Sequence, residues 1–157
     1  MRDGPTPRRA RGFTLIELMT VVVILTVLTL VAAPGLQSLI SGQRARSAAH
    51  DLISDLILAR SEAVKRNRDV VLAPVTEWSA GWRVQTASTA ELIGQRNPVG
   101  GEVRITRSPA QVTYDASGRL SGAAATVRFE VFDGRQNYRC ISIDPSGQPS
   151  TQTKACP

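Results

Sequence analysis

The chain has 157 residues, 42% of them hydrophobic, which suits one compact domain with an appendage rather than several domains. Its formal net charge is +6, of which Arg2, Arg8, Arg9 and Arg11 against Asp3 place +3 in the first twelve residues. The remaining charge is modest and scattered, so the composition permits nucleic-acid binding without demanding it. One histidine and two cysteines exclude a zinc site of the usual type.

The N-terminal segment is basic and then strongly apolar. Residues 1–11 are polar, with prolines at positions 5 and 7, and the run from Phe13 to Ala33 has 21 positions. As a helix this run spans about 31 Å, roughly the hydrocarbon thickness of a bilayer. We expect it to cross a membrane with the basic end in the cytoplasm. Glu17 lies near its start, where an ionisable side chain is costly and indicates a function.

Two ordinary interpretations of this segment remain open from the residues alone. A secretory signal could be cleaved after Val31-Ala32-Ala33, releasing a domain that begins at Pro34. A plain membrane anchor would keep the whole chain at the bilayer. Neither interpretation explains Glu17.

The stretch Gly12-Phe13-Thr14-Leu15-Ile16-Glu17 resembles the class III signal of type IV pilins and type II secretion pseudopilins. The resemblance implies that a prepilin peptidase removes a leader, residues 1–12, by cutting between Gly12 and Phe13, and methylates the new amine of Phe13. The Glu17 carboxylate would then pair with the Phe13 amine of a neighbouring subunit. Such a pair offsets the cost of burying either charge alone.

The apolar pattern continues beyond the membrane segment as an amphipathic helix. Pro34-Gly35 interrupts it, and because an interior proline removes a backbone hydrogen bond we expect a kink or local melting there. We assign residues 13–34 to a transmembrane or filament-core helix and residues 35–67 to an amphipathic helix, whose apolar positions recur at intervals of three and four. His50, the only histidine, lies on this helix as a surface or packing residue.

Residues 68–157 have the pattern of an antiparallel β-rich head outside the cytoplasm. Short β-rich runs alternate there with Gly, Pro, Asn and Ser. Ser117-Gly118 and Asp133-Gly134 predict turns, and residues 87–101 predict a surface loop. The predicted strands are residues 69–74, 81–86, 102–106, 111–115, 126–132 and 138–143.

The two cysteines, Cys140 and Cys156, lie near the C-terminus. If the head is exported, they predict one disulfide that stabilises it by about 3 kcal/mol. In a reducing compartment the alternative is two free thiols.

A second resemblance covers the end of the helix and the first strands. Leu58–Asn67, Val70–Leu72 and Trp78–Val84 look like the GspH/FimT group of minor pilins and pseudopilins. The resemblance implies an α+β pilin fold, with a long N-terminal helix, transmembrane in its first half, packed on a C-terminal antiparallel head.

Two tryptophans and three charged residues of this stretch predict local packing and ion pairing. Trp78 and Trp82 supply apolar area where helix meets sheet, with Gly81 allowing a close approach between them. For Arg60, Glu62 and Arg66 we favour a solvated helix face with one ion pair over a partner-docking patch.

Some FimT-type proteins, which this chain resembles, bind DNA through a C-terminal Gly-Arg-x-Arg motif. The matching place here reads Gly147-Gln148-Pro149-Ser150, which lacks both arginines. Arg135, Arg139 and Lys154 make only a weak basic patch, so a direct DNA contact is not favoured.

Taken together, these patterns predict a structural protein without metal or cofactor, since no phosphate-binding loop and no nucleophile beside a base is visible. The leading hypothesis is a minor pilin near the tip of a type IV pilus. An H-type pseudopilin of a type II secretion system is the first alternative, and a DNA-binding competence pilin is the second. Expected partners are prepilin peptidase, other minor pilins and the major pilin or pseudopilins, and inner-membrane lipid. We expect a single-pass inner-membrane protein with a periplasmic head that enters an extracellular pilus or a periplasmic pseudopilus.

Overall fold

A long helix, α1 (Leu15–Arg66), precedes two antiparallel sheets in a computed structural model that describes residues 12–122 and 125–157. The chain divides into two compact units, residues 1–37 and residues 38–157. We call the second unit the head. The strands of the described residues are β1 (Val70–Pro74), β2 (Trp82–Thr86), β3 (Leu92–Gln95), β4 (Arg104–Thr106), β5 (Val112–Tyr114), β6 (Val127–Phe132), β7 (Tyr138–Ile143) and β8 (Pro149–Gln152).

The first unit contains the apolar part of α1. Leu15–Ala32 is long and apolar enough to cross a membrane, and none of it is buried within the protein. An apolar surface of this length normally needs a lipid or protein environment. Such an N-terminal helix is typical of pilins anchored in the inner membrane.

The head contains two four-stranded sheets that pack against the rest of α1. Sheet A has the order β3-β2-β1-β5, and sheet B has the order β4-β6-β7-β8, with every neighbouring pair antiparallel. Both sheets contribute to one core. Its helix residues recur at intervals of one helical turn, and they are Ala45, Ala48, Ala49, Leu52, Leu56, Ala59 and Ala63. The many alanines on this face allow both sheets to approach the helix closely.

All six predicted strands are present, and the structure adds two that the sequence analysis missed. The predicted loop at residues 87–101 contains β3, and Gly147-Gln148-Pro149-Ser150, which was not predicted as a strand, runs into β8. Both missed strands lie at a sheet edge, where most of their side chains stay exposed and no alternation marks them. Pro149 begins β8, a position that an edge strand tolerates.

Two turns of the head share one design, Asp-x-Ser-Gly. Asp115 accepts hydrogen bonds from the backbone and side chain of Ser117, and Asp144 does the same with Ser146. The hydrogen bond from the Ser117 hydroxyl is the largest cause of a lowered pKa at Asp115, and the bond from the Ser146 hydroxyl has the same effect on Asp144. The two turns touch, since a Cβ on Gly147 would collide with the carbonyl oxygen of Gly118.

Asp133 organises the β6–β7 turn in a similar way. Its carboxylate is fully buried and accepts from the backbone N–H groups of residues 135, 136 and 137 and from the Asn137 side chain. Burial alone would raise the pKa of Asp133, but these hydrogen bonds outweigh it and the pKa is lowered. We refer below to Asp115, Asp133 and Asp144 as the three turn aspartates.

The C-terminal segment is fastened across the outer face of sheet B. Cys140 and Cys156 form a disulfide that spans 16 positions, with Cα atoms 4.9 Å apart. The Cys156 N–H donates to Glu130 Oε2 at 2.9 Å, and Arg107 donates to the Cys156 carbonyl at 2.6 Å. The segment is therefore attached to β7, to β6 and to the residue after β4.

Candidate functional site

The segment Gly12–Glu17 carries the predicted processing and assembly residues. Gly12, Phe13 and Thr14 precede the helix and are exposed, so the bond between Gly12 and Phe13 lies in accessible, non-helical chain. The basic residues before it lie outside the described residues. A Cβ added at Gly12 would meet no atom within 4 Å. The fold itself therefore does not require glycine at this position, and any such requirement belongs to the peptidase.

Thr14 and Glu17 cap the start of α1. The Glu17 N–H donates to Thr14 Oγ1 at 3.3 Å, and the Thr14 N–H donates to Glu17 Oε2 at 3.5 Å. This is the reciprocal capping-box arrangement of a Thr and a Glu three residues apart. Glu17 is exposed within the single chain. Its carboxylate thus has a local role at the helix end in addition to the predicted contact with a neighbour.

The helix continues through Pro34 and Gly35, so no local melting occurs there. The kink predicted at these residues stays a prediction. The described boundary between the two units falls three residues later, after Gln37.

Arg60 is half-buried and hydrogen-bonded to two turns of the head, contacts that the predicted solvated helix face did not include. Its Nε donates to the Gly118 carbonyl at 3.0 Å and its Nη1 donates to Gln148 Oε1 at 2.9 Å. Tyr114, whose pKa is raised by burial, donates to the nearby Gly147 carbonyl at 3.3 Å. Arg60 therefore joins α1 to both Asp-x-Ser-Gly turns, a contact between residues up to 88 positions apart that no local pattern reveals.

Glu62 and Arg66 form the predicted ion pair, with Arg66 Nε 2.6 Å from Glu62 Oε2. The hydrogen bond from Arg66 lowers the pKa of Glu62. Arg66 also contacts Glu91 Oε1 at 2.9 Å, which ties the last turn of α1 to the chain before β3. The Glu62 side chain is only 13% exposed, but Arg66 and Glu91 remain in contact with water, so the pairs add little to stability.

A buried polar cluster at Asp55 was missed. Asp55 is only 7% exposed, and its Oδ2 accepts from Trp82 Nε1 and from Arg96 Nε, each at 2.8 Å. The hydrogen bond to Asp55 raises the pKa of Arg96. Arg96 also lies 3.7 Å from Asp51, so it relieves the repulsion expected between the two aspartates. Arg96 follows the overlooked strand β3, so no local pattern marked its role.

Trp78 and Trp82 are buried as predicted, with ring centroids 6.4 Å apart. The reason for glycine between them differs from the prediction. Gly81 has φ of 99°, and a Cβ there would collide with the carbonyl oxygen of Arg96. The close approach at Gly81 is therefore to the Arg96 backbone and not between the indoles.

The three residues of the weak basic patch are only partly together. Arg135 in the β6–β7 turn and Arg139 on β7 line adjacent grooves, whereas the exposed Lys154 lines neither of these. Arg139 is paired with Val131, so its side chain emerges on the helix-facing side of sheet B. Their role towards DNA stays untested.

Two family models match the chain. One, described as type II transport protein GspH, matches residues 48–147, and the other, described as the prokaryotic N-terminal methylation motif, matches residues 7–33. The first covers more than half of the chain and includes the helix end and most of the strands. The second covers the processing segment and the apolar helix.

Individual proteins of type II secretion systems and type IV pili also resemble the chain. The chain is 31% identical over 145 residues to type II secretion system core protein G of Dickeya chrysanthemi, covering 92% of this chain and 83% of that protein. Two crystal structures of the type IV minor pilin FimU of Pseudomonas aeruginosa match with TM-scores of 0.63 and 0.58 at 20% and 22% identity. They cover 73% and 71% of this chain and 93% and 96% of theirs, and at these identities they show the fold alone. With a pilin-like α+β fold, an N-terminal methylation motif and a matching head, the chain belongs to the family of the type II transport protein GspH.

Proposed function

We propose that the protein is an H-type minor pseudopilin of a type II secretion system. As a pilin-family protein it is a structural subunit and not an enzyme, its methylation motif implies processing by prepilin peptidase, and its family implies assembly with other pilins. The match of residues 48–147 to type II transport protein GspH is the observation that favours a type II secretion system over a type IV pilus. The relative named as a type II secretion protein supports the same proposal.

The type IV pilus, which the sequence analysis placed first, is the second candidate. The likeness to FimU favours it in fold only, because the identities of 20% and 22% are too low to transfer a role. We do not propose DNA binding, since Gly147-Gln148-Pro149-Ser150 lacks both arginines of the motif and Gln148 is engaged by Arg60.

In the proposed mechanism, cleavage between Gly12 and Phe13 frees an amine that the peptidase methylates. The apolar helix then leaves the bilayer for the filament core, and Glu17 pairs with the Phe13 amine of a neighbour. Desolvation of both charges makes a mispaired arrangement costly, so the pair sets the axial position of each subunit.

Identification of partners tests the choice of machine. The full chain, tagged in its native host, is crosslinked in membranes, extracted and analysed by mass spectrometry. Pseudopilins of a secretion system are the expected partners, and pilus tip subunits in their place would overturn the assignment. The same sample gives the mature mass: a methylated chain beginning at Phe13 is expected, and one beginning at Pro34 would show secretory processing. Gly12→Ala should retain the full-length precursor.

Two substitutions at one position separate the roles of Glu17. Glu17→Gln keeps a side chain suited to the capping box but removes the charge, whereas Glu17→Ala removes both. If pairing with a neighbour's amine sets assembly, both variants should be processed normally. The amount of each variant in the crosslinked complex should fall about a hundredfold or more, because removing one partner of a buried ion pair costs about 3–5 kcal/mol. Normal incorporation of Glu17→Gln would leave only the capping role.

A further inference from the structure

Two grooves flank the first turns of α1 in the head. One, of 240 Å³, lies between the helix and the β6–β7 hairpin and includes Leu39, Arg46, Tyr138 and Arg139 in its lining. We call it the hairpin groove. The other, of 620 Å³, lies between the helix and the segment after β3 and includes Leu39, Ile40 and Arg44. Gln43 lines both.

The hairpin groove is cationic. None of the described residues that line it carries a carboxylate, while two guanidinium groups, of Arg46 and Arg139, contribute to it. Neither arginine forms an ion pair with any described residue, and Arg44 beside the other groove forms none either. Two unneutralised guanidinium groups at one groove favour an anion with several acceptor oxygens, such as a phosphate.

Apolar and aromatic side chains surround these cations. Leu39 is 67% exposed, Ile40 is 43% exposed and Tyr138 is 37% exposed. An exposed leucine and isoleucine beside a tyrosine and arginines is the combination found at membrane surfaces, where apolar groups enter the acyl boundary and polar tips meet headgroups.

The position in the chain places this surface within reach of a bilayer. Leu39 follows the end of the apolar segment, Ala32, by seven residues. Even fully extended, seven residues span at most about 25 Å. An anionic lipid surface attracts juxtamembrane basic residues with a free energy of about 1 kcal/mol for each residue.

We propose that the hairpin groove binds the phosphate of an anionic phospholipid headgroup, with Leu39 and Ile40 entering the acyl boundary beside it. The proposal rests on the membrane anchoring in the proposed function and adds a second contact, made by the head. It holds the head of an unassembled subunit against the bilayer, and the contact is broken when the subunit enters a filament. A neighbouring subunit's acidic side chain is the competing occupant, and the experiment distinguishes it.

The full chain is reconstituted in nanodiscs with a photoreactive benzophenone amino acid in place of Gln43. A second sample carries it at Ser54, which is exposed on α1 but lines neither groove. Nanodiscs contain phosphatidylcholine alone or an equal mixture with phosphatidylglycerol, and lipid adducts are counted by mass spectrometry. The tested pair is Arg46→Gln with Arg139→Gln, and Arg68→Gln with Arg83→Gln removes the same charge from two other exposed arginines.

Phosphatidylglycerol adducts are expected at position 43 and not at position 54. The number of adducts should fall about thirtyfold in the Arg46/Arg139 variant, because each basic residue lost near an anionic surface costs about fivefold. It should stay unchanged in the Arg68/Arg83 variant. Arg46→Gln alone, at an exposed position, gives the partial effect if the double variant is unstable. Equal labelling by phosphatidylcholine, an equal loss in the Arg68/Arg83 variant, or adducts to a second copy of the chain would each overturn the proposal. None of these results changes the partners found by crosslinking in the host, so the assignment to a secretion system is judged separately.

Discussion

Replacing Asp55 by alanine should be among the more damaging single polar substitutions in the head. The change leaves the indole N–H of Trp82, a residue only 1% exposed, without its acceptor, which costs about 1–3 kcal/mol. Arg96 also loses its partner, but its side chain is 42% exposed and can bind water, so that loss adds less than about 1 kcal/mol. The expected total is about 3 kcal/mol, or about 10 °C in Tm for a unit of this size.

Thermal unfolding of the full chain in mild detergent, followed by circular dichroism, measures this loss. Asp51→Ala is the matched control, because Asp51 is 50% exposed and contacts the same arginine at 3.7 Å. It should cost less than about 0.5 kcal/mol. In a Trp82→Phe background, which lacks the indole N–H, Asp55→Ala should cost about 1–3 kcal/mol less than in the native chain. Equal Tm values for the Asp55 and Asp51 variants would refute the reasoning.

Three further predictions concern the turns and the C-terminal segment of the head. The Tm should stay level from neutral pH down to about pH 4 and fall at lower pH, because the pKa of each of the three turn aspartates is lower in the folded than in the unfolded chain. Such a carboxylate stabilises the fold above its unfolded pKa and loses that effect as the pH falls through its folded pKa. Asp133→Asn should lessen the fall, and a Tm that rises on acidification would contradict this role of the three turn aspartates. Replacing Cys140 and Cys156 by serine should lower the free energy of unfolding by about 3 kcal/mol in denaturant titrations, and an unchanged midpoint would show that Arg107 and Glu130 suffice to hold the segment. Arg60→Met should lower the free energy of unfolding by about 1–2 kcal/mol, whereas Arg68→Met, at an exposed arginine beyond the helix, should lower it by almost nothing. Equal losses would show that the hydrogen bonds of Arg60 to the two turns do not stabilise the head.

The parts of the fold that follow from the sequence are those in which burial imposes a period. The helix face from Ala45 to Ala63 repeats every three or four residues, and in β6 the buried Phe129 and Val131 alternate with less buried residues. Both were predicted because an apolar core selects side chains at regular intervals. Strands β3 and β8 have no buried apolar side chain in alternation, whereas the predicted edge strands β4 and β5 do bury such side chains. Selection therefore leaves no such record in β3 and β8.

The contacts that organise the head are absent from the sequence analysis for a different reason. Asp55 and Arg96 are 41 positions apart, and Arg60 and Gln148 are 88 apart. Each of these polar residues is ordinary in its local context, and its role depends on the three-dimensional arrangement alone. The repeated Asp-x-Ser-Gly pattern, of which only Ser117-Gly118 was used for prediction, marks turns without revealing that the turns touch.

That contact restricts how this head can vary. Because Gly147 rests on the backbone of Gly118, with Arg60 bonded to both turns, lengthening either turn by one residue would displace the other. The turns behave as one unit although sequence separates them by almost thirty positions. A change in the length of one turn is therefore expected to require a matching change in the other.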